Sequence, residues 1–258
     1  MNRFLKRAWA EIDLDALEHN YNEIKKLAKG KDILAVVKAN AYGHDDKAVC
    51  LKLQELGVKY YGVSNLWEGE KLRQHGITGT ILTFGYTDED YFDELLEYGI
   101  TQTAGSVQYA KQLSDYAVSK GVKLPVHIKV NTGMTRVGID SQQEMLDIIA
   151  MPGLDCKAAY THFAAADSLD PSDVEYTDRQ QEKLMKIAKD KGLLIHSQNS
   201  GGIIYHGDFG GDIVRAGVIL YGHYPNYPLE VPFDMKSVMT VKSVSYTHLR
   251  AHETSLHL

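Results

Sequence analysis

Short apolar segments alternate with longer amphipathic segments along most of the chain. The apolar segments have the length of buried strands, and the residues between them repeat apolar positions with helical spacing. Leu17, Tyr21, Ile24 and Ala28 share one such helical face, and Asp13 stands before it as a predicted N-cap. The predicted strands are Ile33–Val37, Tyr60–Val63, Ile81–Phe84, Ile100–Thr103, Val126–Val130, Ala158–Thr161, Leu194–Ser197 and Ile213–Val214.

This alternation of strands and helices indicates an α/β fold with a parallel sheet. Eight units favour a closed (β/α)₈ TIM barrel over an open doubly wound sheet, because open sheets usually have fewer strands. We expect the barrel domain to span residues 1–232, with Ala8–Ile12 as a strand before its first helix. Residues 233–244 are expected to begin a β-rich domain, with a strand over Val238–Val244.

The last segment, residues 245–258, is polar and has neither helical nor strand periodicity. Its letters SYTHLRAHET resemble translated sequencing-adapter sequence, so we expect a non-native tail. His248, His252 and His257 lie there at spacings that fit no zinc pattern, and no metal site is expected.

Composition and charge exclude several classes of protein. The formal net charge of −6 is the opposite of a basic nucleic-acid-binding face. The chain has no apolar run near the roughly 20 residues that span a bilayer, and its N-terminus has no apolar signal-peptide core. Two cysteines, Cys50 and Cys156, make no disulfide framework. We therefore expect a cytoplasmic protein without nucleic-acid or membrane partners.

Reactive residue types follow the predicted strands, at the end where barrel enzymes have their active sites. They are Lys38 after the first strand, Arg136 after the fifth, His162 after the sixth, Asn199 and Ser200 after the seventh, and Arg215, Gly217 and Val218 at the eighth. Each residue also has a common structural explanation. A lone arginine usually forms a surface ion pair, a histidine is usually structural, and glycines usually make turns.

Lys38 and the last two loops suggest specific chemistry. A neutral amine at a dry strand end suits condensation with an aldehyde, although such a lysine often extends to solvent instead. Barrels often bind phosphate with the loops after strands seven and eight. Those loops contain Ser200, Gly217 and Val218, whose hydroxyl and backbone N–H groups suit an anion.

The sequence segments around these residues resemble those of a known family. AVVKANAYGH, around Lys38, closely resembles the cofactor-lysine motif of alanine racemases. KVNTGMTRVG, YTHFAAAD, HSQNS and DIVRAGVILYG resemble further blocks of that family in the same order, from about residue 7 to residue 244. The resemblance implies a barrel that binds pyridoxal 5'-phosphate and interconverts L- and D-alanine, supplying D-alanine for peptidoglycan. It also implies a homodimer for the full-length protein.

The resemblance further implies roles for individual residues. Lys38 would form a Schiff base with the cofactor and act as one of two bases at the substrate α-carbon. The phosphate would be held by Tyr42, Ser200, Gly217 and Val218, with Asn199 beside them. Arg215 would face the pyridine nitrogen with support from His196, and His162 would line the pocket. Arg136 would face the phenolic oxygen and the substrate carboxylate, oriented by Lys129, which often carries a carbamate in the family.

The chain departs from the family in two respects. Asn131 stands where many members have aspartate, beside Lys129. The family's second base is a tyrosine in a β-rich domain after the barrel. Tyr246 does not match it, because it lies in the tail that we expect to be non-native. We therefore expect this chain to racemise weakly. We also expect Ala8–Ile12 and Val238–Val244 to lack sheet partners and to leave exposed edges.

Three alternative functions remain open at this point. A non-catalytic pyridoxal-phosphate carrier shares the barrel and the lysine, but AYGH after Lys38 and the RAGVILYG block favour a racemase. A decarboxylase for basic amino acids would need an acidic partner for the pyridine nitrogen, which Arg215 opposes. A serine racemase is the closest alternative, because side-chain specificity depends partly on the second domain.

Overall fold

The computed structural model describes residues 8–226, 229 and 231–243. The predictions for residues 1–7, for Val244 and for the tail at 245–258 lie outside the described residues.

Eight parallel strands form one sheet in the order β8-β7-β6-β5-β4-β3-β2-β9. The strands are β2 (Asp32–Val36), β3 (Tyr60–Val63), β4 (Thr80–Thr83), β5 (Thr101–Ala104), β6 (Leu124–Lys129), β7 (Leu154–Tyr160), β8 (Leu194–His196) and β9 (Ile213–Ala216). The two end strands meet, because the N–H groups of Asp212 and Arg215 donate to the carbonyls of Ile195 and Gln198, both at 2.8 Å. The predicted (β/α)₈ barrel is therefore confirmed.

Helices connect successive strands, and their first turns are stabilised where the sequence predicts. The Asp13 carboxylate accepts from the N–H groups of Asp15 and Ala16 at 3.0 and 2.9 Å, and α1 begins there with Leu17 and Ile24 fully buried. The helices are α1 (Leu14–Leu27), the short turn α2 (Lys38–Tyr42), α3 (Asp46–Glu55), α4 (Leu66–Gln74), α5 (Phe92–Glu97), α6 (Val107–Ser119), α7 (Gln142–Ile149), α8 (Pro171–Ala188) and α9 (Ser200–Tyr205). In the described part of the chain, no helix combines the length and the apolarity that crossing a membrane requires.

Strand β7 begins at Leu154, well before the predicted start at Ala158. Its first half carries Asp155 and Lys157, which form an ion pair at 2.6 Å and whose side chains are about half exposed. A half-exposed strand has no continuous apolar run, so the apolar pattern marked only its buried second half.

The prediction that the two outlying strands lack partners is wrong. β1 (Ala8–Ile12) and β10 (Met239–Ser243) pair with each other in an antiparallel two-stranded sheet, from Ala8 opposite Ser243 to Ile12 opposite Met239. Each strand satisfies the other's backbone groups along one side. The pair still presents apolar surface to solvent, because Val241 is 73% exposed.

Candidate active site

A cavity of about 620 Å³ opens at the carboxyl ends of the barrel strands. It is lined by ten of the residues that the sequence singled out: Lys38, Tyr42, Lys129, Arg136, His162, Asn199, Ser200, Arg215, Gly217 and Val218. His196 is fully buried and does not line the cavity, but it contacts Arg215 from below. The structure thus brings the predicted set together in one place.

The segment after Lys38 is a turn of left-handed helix. Ala39, Asn40, Ala41 and Tyr42 have φ angles of 53, 55, 53 and 54°. This conformation costs roughly 1–2 kcal/mol for each residue with a Cβ atom, so the turn persists only where its surroundings hold it. The reversal lets Lys38 and Tyr42 line the same cavity, with the Lys38 amine 5.9 Å from the centre of the Tyr42 ring.

Three side chains hold this strained turn. The Glu68 carboxylate accepts from the backbone N–H of Ala39 at 2.8 Å and from that of Ser64 at 2.7 Å. The Asn40 side-chain oxygen accepts from the N–H at the start of α3, at 3.1 Å. The Nδ1–H of His44 lies 3.1 Å from the carbonyl oxygens of both Ala41 and Tyr42. These contacts fix the position of the lysine backbone relative to the neighbouring strand end.

A small polar cradle lies where the last two loops meet. The Gly217 N–H donates to the Ser200 hydroxyl at 3.1 Å. A Cβ atom on Gly217 would lie 3.2 Å from the Tyr42 hydroxyl and 3.6 Å from the Ser200 hydroxyl, so both hydroxyls face the space beside this glycine. Val218 is the first residue of a 3₁₀ turn, and its N–H therefore has no acceptor within that turn.

Arg215 is a buried cation with neutral acceptors. Its guanidinium donates to the carbonyls of Thr161, His196 and Ser197 at 2.7–2.9 Å, and to the His196 Nδ1 at 3.2 Å. Burial lowers the pKa of Arg215 to about 10, so it remains charged at neutral pH. None of these acceptors is an anion, and the positive charge therefore acts on whatever occupies the cavity.

His162 contributes an uncharged ring to the wall of the cavity. Burial, followed by the nearby Arg215 cation, lowers the pKa of His162 to about 3. Its Nδ1 lies 3.4 Å from a guanidinium nitrogen of Arg215, which can only donate. His162 is therefore a neutral acceptor at this wall at neutral pH.

Lys129 is the most buried amine of the cavity, whereas Lys38 is half-buried. The Lys129 amine donates to the Val130 carbonyl at 3.2 Å and lies 3.4 Å from the Thr161 hydroxyl. Burial, followed by the charges of Arg215 and Arg136, lowers the pKa of Lys129 to about 6. Lys129 is therefore mostly neutral at pH 7.

This burial predicts a specific pH dependence of stability. Between about pH 6 and the ordinary value of 10.5, the unfolded chain carries a proton on Lys129 that the folded chain lacks. Stability therefore rises with pH in this window, by roughly 1.4 kcal/mol per pH unit from this group. Lys129→Met removes the contribution. The variant is expected to be more stable than the parent near neutral pH, and its advantage is expected to shrink as the pH approaches 9.

Urea unfolding of both chains at several pH values measures this difference. A stability difference that stayed constant with pH would contradict the neutral state of buried Lys129.

Asn131 shapes the loop that carries Arg136. Its side-chain oxygen accepts from the N–H groups of Gly133 and Thr135 at 3.2 and 3.0 Å, and its amide donates to Asp140 at 3.1 Å. Arg136 lines the cavity, and within the described ranges its guanidinium forms no ion pair. The loop therefore presents an available cation to a bound anion.

Sequence reasoning missed Tyr160, which forms part of the cavity wall. Its ring centre lies 5.2 Å from the Lys129 amine and 5.6 Å from the Arg215 guanidinium carbon, and its ring stacks on His196 at 4.7 Å. Its hydroxyl is 2.8 Å from that of Thr103. A polar aromatic residue at the interior-facing last position of β7 was the available signal.

Taken together, the mouth of the barrel holds two arginines, two amines and a glycine-lined cradle around one cavity. These features place the chain among (β/α)₈ barrels that have a lysine and a positively charged cavity at the carboxyl ends of the strands. A family model described as the N-terminal domain of alanine racemase matches residues 12–225. The chain belongs to this family.

Known relatives align with almost the whole chain. An alanine racemase from Clostridium perfringens strain SM101 is 37% identical over 254 residues, which covers 94% of this chain and 65% of the relative. An alanine racemase from Methanococcus maripaludis is 36% identical over the same length. The chain thus spans about two thirds of the length of these relatives.

Solved structures agree in fold. Alanine racemase from Clostridium difficile 630 superposes with a TM-score of 0.86 at 35% identity, over 93% of this chain and 65% of that one. A histidine racemase from Leuconostoc mesenteroides superposes with a TM-score of 0.85 at 27% identity, over 94% of this chain and 67% of that one.

Proposed function

We propose that the chain binds pyridoxal 5'-phosphate at the mouth of the barrel, with Lys38 as the point of attachment. We further propose that the protein interconverts L- and D-alanine. The observation that carries the proposal is that the Lys38 amine and the Gly217 cradle line one cavity together with two arginines. The named relatives support the choice of alanine.

The residues present fit the cofactor's phosphate. The space beside Gly217, faced by the hydroxyls of Tyr42 and Ser200, is too small for a Cβ atom without close contact but is open to an approaching oxygen. The backbone N–H groups of Gly217 and Val218 and the two hydroxyls would donate to phosphate oxygens. Asn199 supports this end, because its side chain accepts from the Gly202 N–H at 2.9 Å and fixes the first turn of α9.

Lys38 is the proposed base as well as the proposed anchor. The cofactor, when bound, supplies an electron sink for the charge left at the substrate α-carbon. Lys38 would hold the cofactor through its amine, at the aldehyde carbon, with one water molecule released. Its free amine would remove or return the α-proton on its side of the substrate.

The two arginines have different proposed tasks. Arg215 would hold the nitrogen end of the cofactor's ring, where its uncompensated charge would disfavour a proton. That limits the electron demand of the ring and with it side reactions such as transamination. Arg136 presents an unpaired guanidinium to the substrate carboxylate. Neutral Lys129 adds no third charge, and a neutral amine is the form that can accept a carbamate.

Solvent exchange of the substrate α-proton tests the proposal. The chain is incubated in D₂O with pyridoxal phosphate and either enantiomer of alanine, and deuterium at the α-carbon is measured by NMR, with D-alanine measured separately. We expect deuterium incorporation that Lys38→Ala abolishes. Arg136→Leu is expected to raise the alanine concentration needed for half-maximal exchange. Retention of the cofactor without any exchange would instead favour a carrier protein.

The substrate assignment has its own control. Serine and histidine are assayed beside alanine, because a histidine racemase shares this barrel fold. Alanine is expected to exchange fastest. By analogy with the family, we also propose a cytoplasmic homodimer as the working form, and the two free cysteines, Cys50 and Cys156, agree with a reducing compartment.

A further inference from the structure

Two histidines face each other inside the barrel, beneath the cavity. His127 lies on β6 and His196 on β8, and both are at least 99% buried, with relative exposures of 1% and 0%. The His127 Nδ1 is 3.1 Å from the His196 Nε2, and the ring centres are 5.1 Å apart. The register of the β6–β7 pair shifts between Val126 and His127, and such an irregularity re-aims the side chain that follows it.

Arg215 determines where the protons lie in this pair. A guanidinium can only donate, so the His196 Nδ1, 3.2 Å from the Arg215 Nη1, must offer a lone pair. Burial lowers the pKa of His196 well below its ordinary value and that of His127 to about 4, so each ring carries one proton. The proton of His196 is then on Nε2, where it donates to the His127 Nδ1. The His127 proton is on its own Nε2.

We propose that His127 is a positioning residue, which holds His196 in the Nε2–H tautomer and thereby keeps a neutral acceptor beneath the Arg215 guanidinium. Without an acceptor at position 127, the buried Nε2–H would lose its partner, and the alternative tautomer would place a donor against the donors of Arg215. The chain of contacts thus runs from β6 through β8 to the cavity. None of the sequence blocks that resemble the family contains His127.

The histidine pair affects the cavity because neutral acceptors leave the positive charge of Arg215 uncompensated. A carboxylate beneath the guanidinium would neutralise much of its field, whereas imidazole and carbonyl acceptors orient it without doing so. His127 therefore helps to keep a full positive charge at a fixed place on the wall. This consequence rests on the proposed function, but the tautomers of the two rings do not.

Nuclear magnetic resonance of the ¹⁵N-labelled chain, without cofactor, tests the tautomers directly. Long-range ¹H–¹⁵N correlations distinguish protonated from unprotonated ring nitrogens, and the signals of the two rings are assigned by their loss in His127→Asn and His196→Asn. We expect Nε2–H in both rings. An Nδ1–H tautomer in either ring, or a doubly protonated ring at neutral pH, would overturn the proposal whatever the cofactor does.

A matched pair of variants tests the functional consequence. His127→Asn keeps an acceptor oxygen near the position of Nδ1, whereas His127→Leu keeps the volume and removes the acceptor. We expect His127→Asn to bind pyridoxal phosphate within about threefold of the parent and His127→Leu to bind it about tenfold more weakly, the equivalent of one hydrogen bond. Affinity for inorganic phosphate is expected to stay unchanged in both, because the Gly217 cradle is untouched.

The outcomes separate the possible failures. If His127 only filled space, His127→Leu would bind pyridoxal phosphate at least as tightly as His127→Asn. That result would overturn the proposal. If the parent chain retained no cofactor at all, the proposed function would fail and so would the positioning role. The NMR result would still decide the proton arrangement, even if one variant failed to fold.

Discussion

Lys38→Ala is expected to abolish covalent retention of pyridoxal phosphate. Treatment of the loaded chain with borohydride should fix one cofactor on the parent and none on the variant, as measured by intact-mass spectrometry. The physical reason is that Lys38 is held at the cavity wall by the left-handed turn, whose backbone Glu68 clamps to the neighbouring strand end. Alanine keeps that backbone but has no amine.

Two control variants accompany this experiment. Lys47→Ala removes an exposed amine on α3 and should leave the retained cofactor unchanged. Lys129→Met removes the other amine of the cavity and should still give covalent retention. Undiminished labelling of Lys38→Ala would refute the anchoring role.

Gly217→Ala is expected to weaken cofactor binding by about a hundredfold. The added Cβ would lie 3.2 Å from the Tyr42 hydroxyl and 3.6 Å from the Ser200 hydroxyl, within the space proposed for the phosphate. Hydrogen bonds to a charged group contribute about 1.5–3 kcal/mol each, so displacing the phosphate by even one contact accounts for an effect of this size. Fluorescence titration with pyridoxal phosphate measures the loss.

Gly207→Ala is the matched control. A Cβ atom there meets no heavy atom within 4 Å, so neither affinity nor stability should change. The melting temperatures of both variants are measured beside the affinities, since a collapsed fold would also lose binding. A folded Gly217→Ala chain with the affinity of the parent would show that the phosphate binds elsewhere.

Much of the fold could be predicted because its signals are local. Asp13 begins a helix where the sequence places it, because its side-chain oxygen accepts from backbone N–H groups two and three residues later. Buried strands appear as apolar runs, and Tyr60–Val63 was predicted to the residue. The pairing of β1 with β10 could not be predicted in this way, because it joins segments more than 200 residues apart.

The site was partly predictable for a related reason. In a barrel, the residues that follow the strands converge, so position along the chain was enough to collect Lys38, Ser200 and Arg215 at one mouth. The contacts beneath the mouth depend on the interior packing of the barrel. The His127–His196 contact joins two strands that are not neighbours in the sheet, and no spacing in the sequence encodes it.

The left-handed turn after Lys38 could not be predicted from the sequence either. Its residues Ala39 to Tyr42 include no glycine, and Asn40 alone among them is of a residue type that is enriched at positive φ. The conformation is imposed by contacts with Glu68, Asn40 and His44, two of which are themselves part of the local motif. The burial of Lys129 was also missed, because it depends on the packing of Tyr160 and Arg215 around the amine.

Peptide mapping of the borohydride-reduced chain tests the central claim most directly, because two amines share the cavity. Lys129 is mostly neutral at pH 7 and is therefore a competent competitor for an aldehyde. If the phosphate occupies the cradle at Gly217 and Lys38 is the anchor, the cofactor mass will be found on the peptide that contains Lys38. Recovery of that mass on Lys129, or spread over surface lysines, would contradict the account.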